Sequence, residues 1–484
     1  MGAIAAVVNK RGENAVPNVV IMLRELTHRG IDAHGVAIPS LAITAKSIED
    51  MKIENLNSPV ALGHNLSRIF PRDHPQPVLG DHLALVFEGH LFAPSNISEV
   101  DEIREKLRLR LQRNAGSFIR EFEGSYSFAI ACPKKVIAGR DMFGINSLHY
   151  GENETACAIA SERKALWALG IENVKSFPPG NLAVVSPKGV DFQPIKTVAQ
   201  PLLKSVNMNT AAKHLQNLLL ESTRKRISDL KKVAVAFSGG LDSSIIANLA
   251  KICGIDVHLI SVGLKGQAEV EYAKATAERL DLPLHLEAFT VNDVEQVLPK
   301  VLWLIEESNA VKASIAIPFF WTAEIASKMK CHVLLAGQGS DELFGGYHRY
   351  LGTYAQFGIT AVQNAMYHDI ASSFEKNFQR DTQVCSFHKV ELRLPFVDRE
   401  IVKFALGLPV GLKIKSMEDR LRKRVLRRVA QNLELPQFIV DKPKKAIQYT
   451  TGVNKTLQRL ARKESLTLRE YVKRVFRTVY PLSV

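Results

Sequence analysis

Cysteine is scarce in this 484-residue chain, and its spacing suits neither a metal site nor a set of disulfides. The five cysteines are Cys132, Cys157, Cys253, Cys331 and Cys385, and no two of them form a CxxC pair. Such spacing argues against a zinc site and against a disulfide framework. We expect buried free thiols. The first 131 residues contain no cysteine at all.

Long apolar runs are also missing. No uncharged stretch approaches the roughly 18 residues typical of a membrane span. The opening residues MGAIAAVVNK form too short an apolar run for a secretory signal and carry no cleavage site. These absences predict a cytoplasmic protein without a membrane partner. A hydrophobic content of 46% and a charged content of 23% are typical of globular proteins, and the length predicts two or three domains.

An excess of charge is absent from the first 400 residues and confined to the rest. The net charge is +14, and residues 401–484 carry 20 Lys and Arg against 6 Asp and Glu. The basic stretch EDRLRKRVLRRVAQNL (418–433) predicts one amphipathic helix. Its apolar face is Leu421, Val425, Leu426 and Val429, and its basic face is Arg422, Lys423, Arg424, Arg427 and Arg428. We interpret the basic face as solvent-exposed; the alternative is an RNA-binding or RNA-modifying protein.

The pattern of strands and helices changes near residue 200. The first 190 residues predict a mixed sheet with helices near 17–28 and 99–113. A segment rich in Pro and Asn (176–209) follows, so we predict domains 1–195 and 205–484. From residue 211, long helices alternate with short apolar strands, which predicts a parallel sheet covered on both faces. Ligands bind at the carboxyl ends of such strands.

The stretch AVAFSGGLDSSIIANLA (234–250) predicts an anion site between a strand and a helix. Its polar turn consists of Ser238, Gly239, Gly240, Asp242, Ser243 and Ser244. The glycines let a ligand approach the backbone, and the serines add donors beside the free amides of a helix N-terminus. The lysine of a Walker loop is missing. A carboxylate among phosphate oxygens requires a hard cation, so Asp242 predicts Mg²⁺.

A second polar loop follows the apolar strand CHVLLAG. This loop, GQGSDELFGGY, contains the acid pair Asp341 and Glu342. Asp341 could complete the magnesium site from a neighbouring strand. The alternative is a helix N-cap formed by Ser340 or Asp341.

Several segments carry a resemblance to known families. SGGLDSS resembles the signature of the ATP pyrophosphatase superfamily, while GQGSDELFGGYHRY, HKVELRLPFVDREIVKFAL and DKPKKAIQYTTGV resemble the asparagine synthetase family. LTHRGIDAHGVA, EFEGSYSFAIA, AGRDMFGINSLHYG, ASERKALWALG and FPPGN are similar to segments of that family's glutaminase domain. The resemblance implies an α/β protein: an N-terminal nucleophile hydrolase-like αββα domain, then a parallel-sheet ATP pyrophosphatase domain.

The resemblance also implies a reaction and its residues. Aspartate and ATP would give β-aspartyl adenylate, and ammonia would convert it to asparagine with release of AMP and pyrophosphate. Adenosine would be held by Phe237, Val262, Ala336 and Gly337. Residues 238–244 would bind pyrophosphate, Asp242 and Asp341 would bind Mg²⁺, and Lys444 or alternatively Lys445 would neutralise phosphate charge. The implied partners are aspartate or a related acid, ammonia and ATP, with a homodimer as the candidate assembly and no nucleic acid.

The glutaminase half departs from the family pattern in three places. The family has a nucleophilic cysteine after the initiator methionine, where this chain has Gly2. The family's Asn-Gly oxyanion donors correspond to Glu88 and Gly89, and its HTR motif, whose arginine grips glutamine, reads His-Asn-Leu at 64–66. A carboxylate repels an oxyanion. We therefore expect the fold without glutamine hydrolysis.

The synthetase half departs at Gln338, where the family has a glutamate acting on the incoming amine. An amide cannot take a proton at neutral pH. Three readings remain open: neutral ammonia attacks unaided, Glu342 takes over, or the acceptor acid differs. The last reading corresponds to the lactam-forming branches of the family and makes an amide- or ring-forming ligase on another acid the alternative function.

Overall fold

The computed structural model describes residues 1–92, 98–110, 120–444 and 447–481. The chain folds as two compact units, Met1–Val198 and Ala199–Val484. No helix in the described part of the chain is both long and apolar enough to cross a membrane. The five cysteines are free thiols, and Cys157, Cys331 and Cys385 among them are buried.

The first unit contains two sheets and a few helices. Every strand pair described in these two sheets is antiparallel, so the prediction of a mixed sheet was wrong. The unit's strands are β1 (Gly2–Asn9), β2 (Ala33–Ile38), β3 (Leu41–Ala45), β4 (Val60–Leu66), β5 (Val78–Gly80), β6 (Leu83–Leu91), β7 (Gly124–Cys132), β8 (Lys135–Arg140), β9 (His149–Glu152), β10 (Ala156–Ala160), β11 (Lys175–Ser176), β12 (Asn181–Ser186) and β13 (Gly189–Pro194). Its helices are α1 (Val16–Glu25), α2 (Glu99–Arg110) and α3 (Arg163–Trp167), and a 3₁₀ turn covers Thr27–Arg29.

These elements form four layers. One sheet has the order β11-β9-β10-β1-β4-β2-β3 and the other has the order β13-β12-β8-β7-β6-β5. Successive residues of β1 alternate between two cores: Ala3, Ala5 and Val7 pack with α1, while Ile4, Ala6 and Val8 pack between the sheets. A third core covers the outer face of β6 and β7 with α2. The αββα prediction is confirmed.

The second unit is built around a smaller sheet with many helices. Its strands are β14 (Lys232–Ala236), β15 (Asp256–Leu264), β16 (Leu284–Phe289), β17 (Val333–Leu335) and β18 (Glu391–Arg393). Its helices are α4 (Met208–Ile227), α5 (Leu241–Ile252), α6 (Ala268–Leu280), α7 (Val291–Ile305), α8 (Ala310–Lys328), α9 (Ser340–Phe344), α10 (Arg349–Ala371), α11 (Gln379–Phe387), α12 (Arg399–Leu406), α13 (Arg424–Asn432), α14 (Gln437–Val440), α15 (Ile447–Thr450), α16 (Val453–Lys463) and α17 (Leu468–Val479). A π turn covers Phe374–Phe378, and a 3₁₀ turn covers Val410–Leu412.

The strand order of this sheet positions the site. All strand pairs are parallel, and the order is β16-β15-β14-β17-β18. The predicted parallel sheet is therefore confirmed. From β14 the chain adds β15 and then β16 on one side of β14, and the next strand, β17, lies on the other side of β14. Loops at such a switch point diverge and leave a crevice between them. Here those loops follow β14 and β17.

Candidate active site

The loop after β14 turns tightly into α5. Gly239 has a φ of +66°, a conformation that favours glycine. A Cβ at this position would lie only 2.9 Å from the Tyr272 ring. Gly240 then caps α5, and Asp242 lies in the first helical turn. The loop therefore brings backbone amides and a carboxylate to the same end of the sheet.

A cavity of about 240 Å³ opens between the two loops. The predicted residues that line it are Phe237, Ser238, Gly240, Asp242, Ser243, Val262, Ala336, Gly337, Gln338, Asp341 and Lys444. Two predicted residues are not among the lining residues. Gly239 shapes the turn behind them, and Ser244 is fully buried within α5. The alternative Lys445 lies outside the described residues.

One part of the cavity is apolar. Phe237, Val262 and Ala336 are buried, and Ile260 and Ile447 join them in the lining. Gly337 lies so close to helix α5 that an added Cβ would be 3.0 Å from the Cβ of Asp242. An apolar pocket beside backbone groups suits a flat heterocycle such as adenine.

The polar floor of the cavity joins the two loops. Ser340 Oγ donates to Asp242 Oδ1 at 2.8 Å. The ammonium of Lys423 lies 2.7 Å from Asp242 Oδ2 and 2.5 Å from Asp341 Oδ1. Lys444 Nζ lies 2.7 Å from Asp341 Oδ2. Two acids and two lysines from four separate chain segments thus meet at one place.

Asp341 and Lys444 of this floor shift each other's pKa. Burial opposes ionisation of Asp341, but Lys423 and Lys444 outweigh it and hold the pKa of this carboxyl well below its usual range. Burial lowers the pKa of Lys444, but Asp341 and Asp242 outweigh it and raise the pKa above its usual value. Asp341 is therefore anionic and Lys444 is cationic at neutral pH, and a cationic lysine is what phosphate binding requires.

The floor offers two carboxylates to a divalent cation. Asp242 and Asp341 converge on one point, which the Lys423 ammonium occupies. In the described part of the chain, no group of three or more His, Cys, Asp or Glu side chains could hold a metal by itself. Two carboxylates with phosphate oxygens would nevertheless form the oxygen-rich set that Mg²⁺ prefers. The residues fit a cation that arrives with its nucleotide.

The prediction of a solvent-exposed basic helix over 418–433 was wrong. Helix α13 begins only at Arg424, and the preceding Arg422 and Lys423 each have a φ of +51°. Both side chains are buried, because Lys423 neutralises the two acids and Arg422 Nε donates to the Gly346 carbonyl at 3.1 Å.

The sequence also places Arg427 on the exposed face, but Arg427 is buried and connects two chain segments through hydrogen bonds. Its guanidinium donates to the carbonyls of Leu421, Arg422, Val440 and Lys442. These carbonyls belong to the two segments that carry Lys423 and Lys444. A helical period in the sequence cannot reveal that carbonyl groups from both segments converge on one arginine.

Gln338 has an acidic partner that sequence reasoning missed. Its Nε2 donates to Asp381 Oδ2 at 2.5 Å. Glu342, considered above as a substitute base, is buried and is not one of the residues that line the cavity. Its Oε1 accepts hydrogen bonds from Tyr347 at 2.6 Å and Asn377 at 2.8 Å. Burial, together with Asp341, raises the pKa of Glu342.

Comparison with known proteins places this geometry in a family. The asparagine synthase family model matches residues 214–358 and 355–478, which together are more than half of the chain. The chain belongs to the asparagine synthase family. It is a ligase, and its chemistry is ATP-dependent amidation. A glutamine amidotransferase domain model matches residues 65–168.

Curated relatives align over nearly the whole chain. A putative glutamine-hydrolyzing asparagine synthetase of Methanocaldococcus jannaschii is 29% identical over 96% of each chain. A glutamine-hydrolyzing asparagine synthetase of Sandersonia aurantiaca is 27% identical over 90% of this chain and 83% of its own. Among solved structures, a glutamine phosphoribosylpyrophosphate amidotransferase from B. subtilis matches with a TM-score of 0.34 and 16% identity, covering 59% of this chain and 65% of its own.

In the amidotransferase unit, Glu88, which the resemblance sets at the family's oxyanion position, lies in a buried ion network. Glu88 Oε1 pairs with the Arg29 guanidinium, and Glu88 Oε2 accepts from Ser161 Oγ at 2.8 Å. Arg29 also pairs with Glu162 at 3.2 Å and donates to the Gly2 carbonyl at 3.0 Å. Both oxygens of Glu88 accept from these partners, so the side chain offers no donor to an oxyanion.

The Gly2 position has no room for a side chain. A Cβ there would collide with the Asn65 carbonyl and lie 2.9 Å from the His64 ring. His64 is buried, and burial lowers the pKa of its imidazole to about 3. The space that a nucleophile would need is therefore taken by the chain's own backbone and by a neutral ring.

Proposed function

We propose that this protein adenylylates the β-carboxyl group of aspartate with ATP and Mg²⁺, and then aminates the adenylate with ammonia. The products are asparagine, AMP and pyrophosphate. We propose that this occurs in the cytoplasm with small-molecule partners only; a homodimer stays a prediction.

One observation carries the proposal. Asp242, Asp341, Lys423 and Lys444 meet at the floor of one cavity, next to an apolar pocket at the switch point of a parallel sheet. A phosphate chain needs cations on its oxygens, and a metal bound to it needs carboxylates. Both are present beside a pocket that suits adenine.

Each residue has a task in this reaction. Asp242 and Asp341 would hold Mg²⁺, which neutralises charge on the phosphates when bound. Lys423 and Lys444, released from the acids, would contact phosphate oxygens and stabilise the charge that moves onto pyrophosphate. The backbone of residues 238–240 would orient the phosphates at the start of α5.

Ammonia is the proposed nitrogen source because the described residues of the amidotransferase unit leave no room for a nucleophilic side chain at position 2. The Gly2 position is closed by the Asn65 carbonyl, and Glu88 is ion-paired with Arg29. The curated relatives named above are called glutamine-hydrolyzing. This chain would differ from them in the source of nitrogen.

The test is pyrophosphate release from ATP with aspartate and one nitrogen source at a time. We expect release and asparagine with an ammonium salt, and neither with glutamine. Asp242→Asn should abolish release, while Asp281→Asn, an exposed acid of the same unit, should not. Equal turnover with glutamine would contradict the choice of ammonia.

A second candidate differs only in the acid. Gln338, an amide where the family has a glutamate, favours a ligase that forms an amide or lactam on another carboxylic acid. Pyrophosphate release that fails with aspartate and all nitrogen sources, but occurs with another acid, would select this candidate.

A further inference from the structure

Two amide side chains in the cavity wall are each held from behind by a buried acid. Gln338 and Asn377 line the cavity. Gln338 Nε2 donates to Asp381 at 2.5 Å, and Asn377 Nδ2 donates to Glu342 at 2.8 Å. Neither acid is among the cavity-lining residues, and both are at most 2% exposed.

The chemistry of Asp381 fixes the orientation of Gln338. Both carboxylate oxygens accept from the Arg380 guanidinium, at 2.7 and 2.9 Å. An arginine that donates to both oxygens of Asp381 requires Asp381 to be a hydrogen-bond acceptor. Burial raises the pKa of Asp381, and Arg380 and Gln338 counter that rise. Gln338 must therefore present its NH₂ group to Asp381, which leaves its carbonyl Oε1 for the cavity. No described residue donates to that oxygen.

Glu342 fixes the orientation of Asn377 in the same way. Glu342 Oε1 also accepts from Tyr347 at 2.6 Å, so it acts as an acceptor and takes the NH₂ end of the Asn377 amide. The Oδ1 end remains. Gln338 and Asn377 therefore give the wall two carbonyl acceptors. Arg380 and Tyr347 also line the cavity, but they donate to Asp381, the Lys376 carbonyl and Glu342. The floor carries the lysine donors Lys423 and Lys444. Anions fit the floor, and a molecule with N–H bonds fits the wall.

We propose that Gln338 Oε1 and Asn377 Oδ1 form the binding subsite for the nitrogen nucleophile, a neutral molecule with at least two N–H bonds such as ammonia. Asp381 and Glu342 are positioning residues that keep both carbonyls turned to the cavity. The subsite rests on the proposed amidation. It gives the amide at position 338 a use that does not require it to take a proton: two accepted hydrogen bonds orient the lone pair of the nucleophile.

The two half-reactions separate this role from a structural one. Exchange of labelled pyrophosphate into ATP, driven by the acid alone, reports adenylylation; amide formation with varied ammonia reports capture. In Asp381→Ala, Gln338 is free to turn, so we expect the KM for ammonia to rise about tenfold, the effect of one lost hydrogen bond. Exchange should stay within about twofold of the wild type.

A matched control is available in the same unit. Asp369 accepts from Arg349 and Tyr350, both at 2.6 Å, and is not a cavity-lining residue. Asp369→Ala should leave both the KM for ammonia and the exchange rate unchanged. Asn377→Leu, a change in the wall itself, should raise the KM for ammonia as Asp381→Ala does, and it keeps the test valid if Asp381→Ala does not fold.

A second set of variants exchanges the amide at position 338 and the acid at position 381. Gln338→Glu alone puts two carboxyl groups in contact, which disfavours ionisation of one of them. Amide formation should fall. The double variant Gln338→Glu with Asp381→Asn restores a donor behind the acceptor and should return the KM for ammonia to within about threefold of the wild type.

An unchanged KM for ammonia in Asp381→Ala and Asn377→Leu, with exchange intact, would overturn the subsite alone. A double variant no better than Gln338→Glu would overturn the positioning role of Asp381. Absence of exchange in the wild type with every acid tried would overturn the proposed function and the subsite with it.

Discussion

Lys423 neutralises both acids of the cavity from an unusual backbone conformation. With a φ of +51°, it is the N-cap residue that precedes α13, and its side chain is buried against Asp242 and Asp341. A buried charge is stable only with a partner. Two carboxylates without nucleotide or metal require cations, and Lys423 and Lys444 supply them.

The first prediction concerns Lys444, the more exposed of the two lysines. Lys444→Ala should leave the fold intact, because Lys423 still neutralises the acids, but should reduce the rate of pyrophosphate release about 100-fold through loss of a cation at the phosphates. Steady-state kinetics with saturating ATP measure this. Lys415→Ala, an exposed lysine of the same unit, serves as the control. A Lys444→Ala enzyme as fast as the control would remove Lys444 from the mechanism.

At the scale of elements, the loop after α9 packs against the acid of the preceding turn. Gly346 N donates to the Asp341 carbonyl at 2.8 Å. A Cβ at position 346 would collide with the Asp341 carboxylate and with the Lys423 side chain. The absence of a side chain at Gly346 therefore lets the second loop pack directly against the Asp341 carboxylate and the Lys423 side chain.

The second prediction follows from that contact. Gly346→Ala should lower the free energy of unfolding by about 1–3 kcal/mol through overpacking and should also reduce nucleotide binding. Gly352→Ala is the matched control: it lies on the exposed side of α10 with no atom within 4 Å of the added Cβ. Helix propensity predicts a gain of about 0.5–1 kcal/mol there. Chemical denaturation distinguishes the two, and equal stabilities would contradict the contact.

Elements with their own periodic pattern could be predicted from the sequence, and those that depend on distant partners could not. The apolar strands β14, β15 and β17 and the loops after β14 and β17 were found, because buried parallel strands and glycine turns are local signals. Strand β18 has three residues and exists only by pairing with β17. The basic stretch was mistaken for one helix because acids 80 to 180 residues away in the chain draw Lys423 inward.

At the scale of the whole molecule, the C-terminal excess of positive charge has a partial explanation. Lys423, Arg427 and Lys444 all line the cavity, so part of the excess faces the proposed phosphate site. Further basic residues are exposed on α16 and α17, among them Arg459, Arg462, Lys473 and Arg477. Composition alone could not distinguish these two groups.

The third prediction concerns acid stability. Burial lowers the pKa of His64 to about 3 and that of His149 well below its usual value. Below a pH of about 6.5 the unfolded chain binds these protons and the folded chain does not, so stability falls as the pH drops from there towards the folded pKa. Each such histidine contributes up to about 1.4 kcal/mol per pH unit.

Scanning calorimetry between pH 7 and pH 5 measures this effect. We expect the Tm of the amidotransferase unit to fall with pH, and His64→Leu should weaken that dependence. His82→Asn changes an exposed histidine whose φ of +53° asparagine tolerates, and it should keep the wild-type dependence. An identical dependence in all three proteins would contradict the neutral buried ring.

The most direct test of aspartate adenylylation follows an oxygen atom from the substrate carboxylate to AMP. If the cavity joins a substrate carboxylate to the α-phosphorus of ATP, then aspartate labelled with ¹⁸O in its β-carboxyl group, incubated with ATP, Mg²⁺ and ammonia, transfers one ¹⁸O to AMP. Mass spectrometry of the nucleotide should find that label. Unlabelled AMP, or ¹⁸O in inorganic phosphate instead, would contradict adenylylation of aspartate at this site.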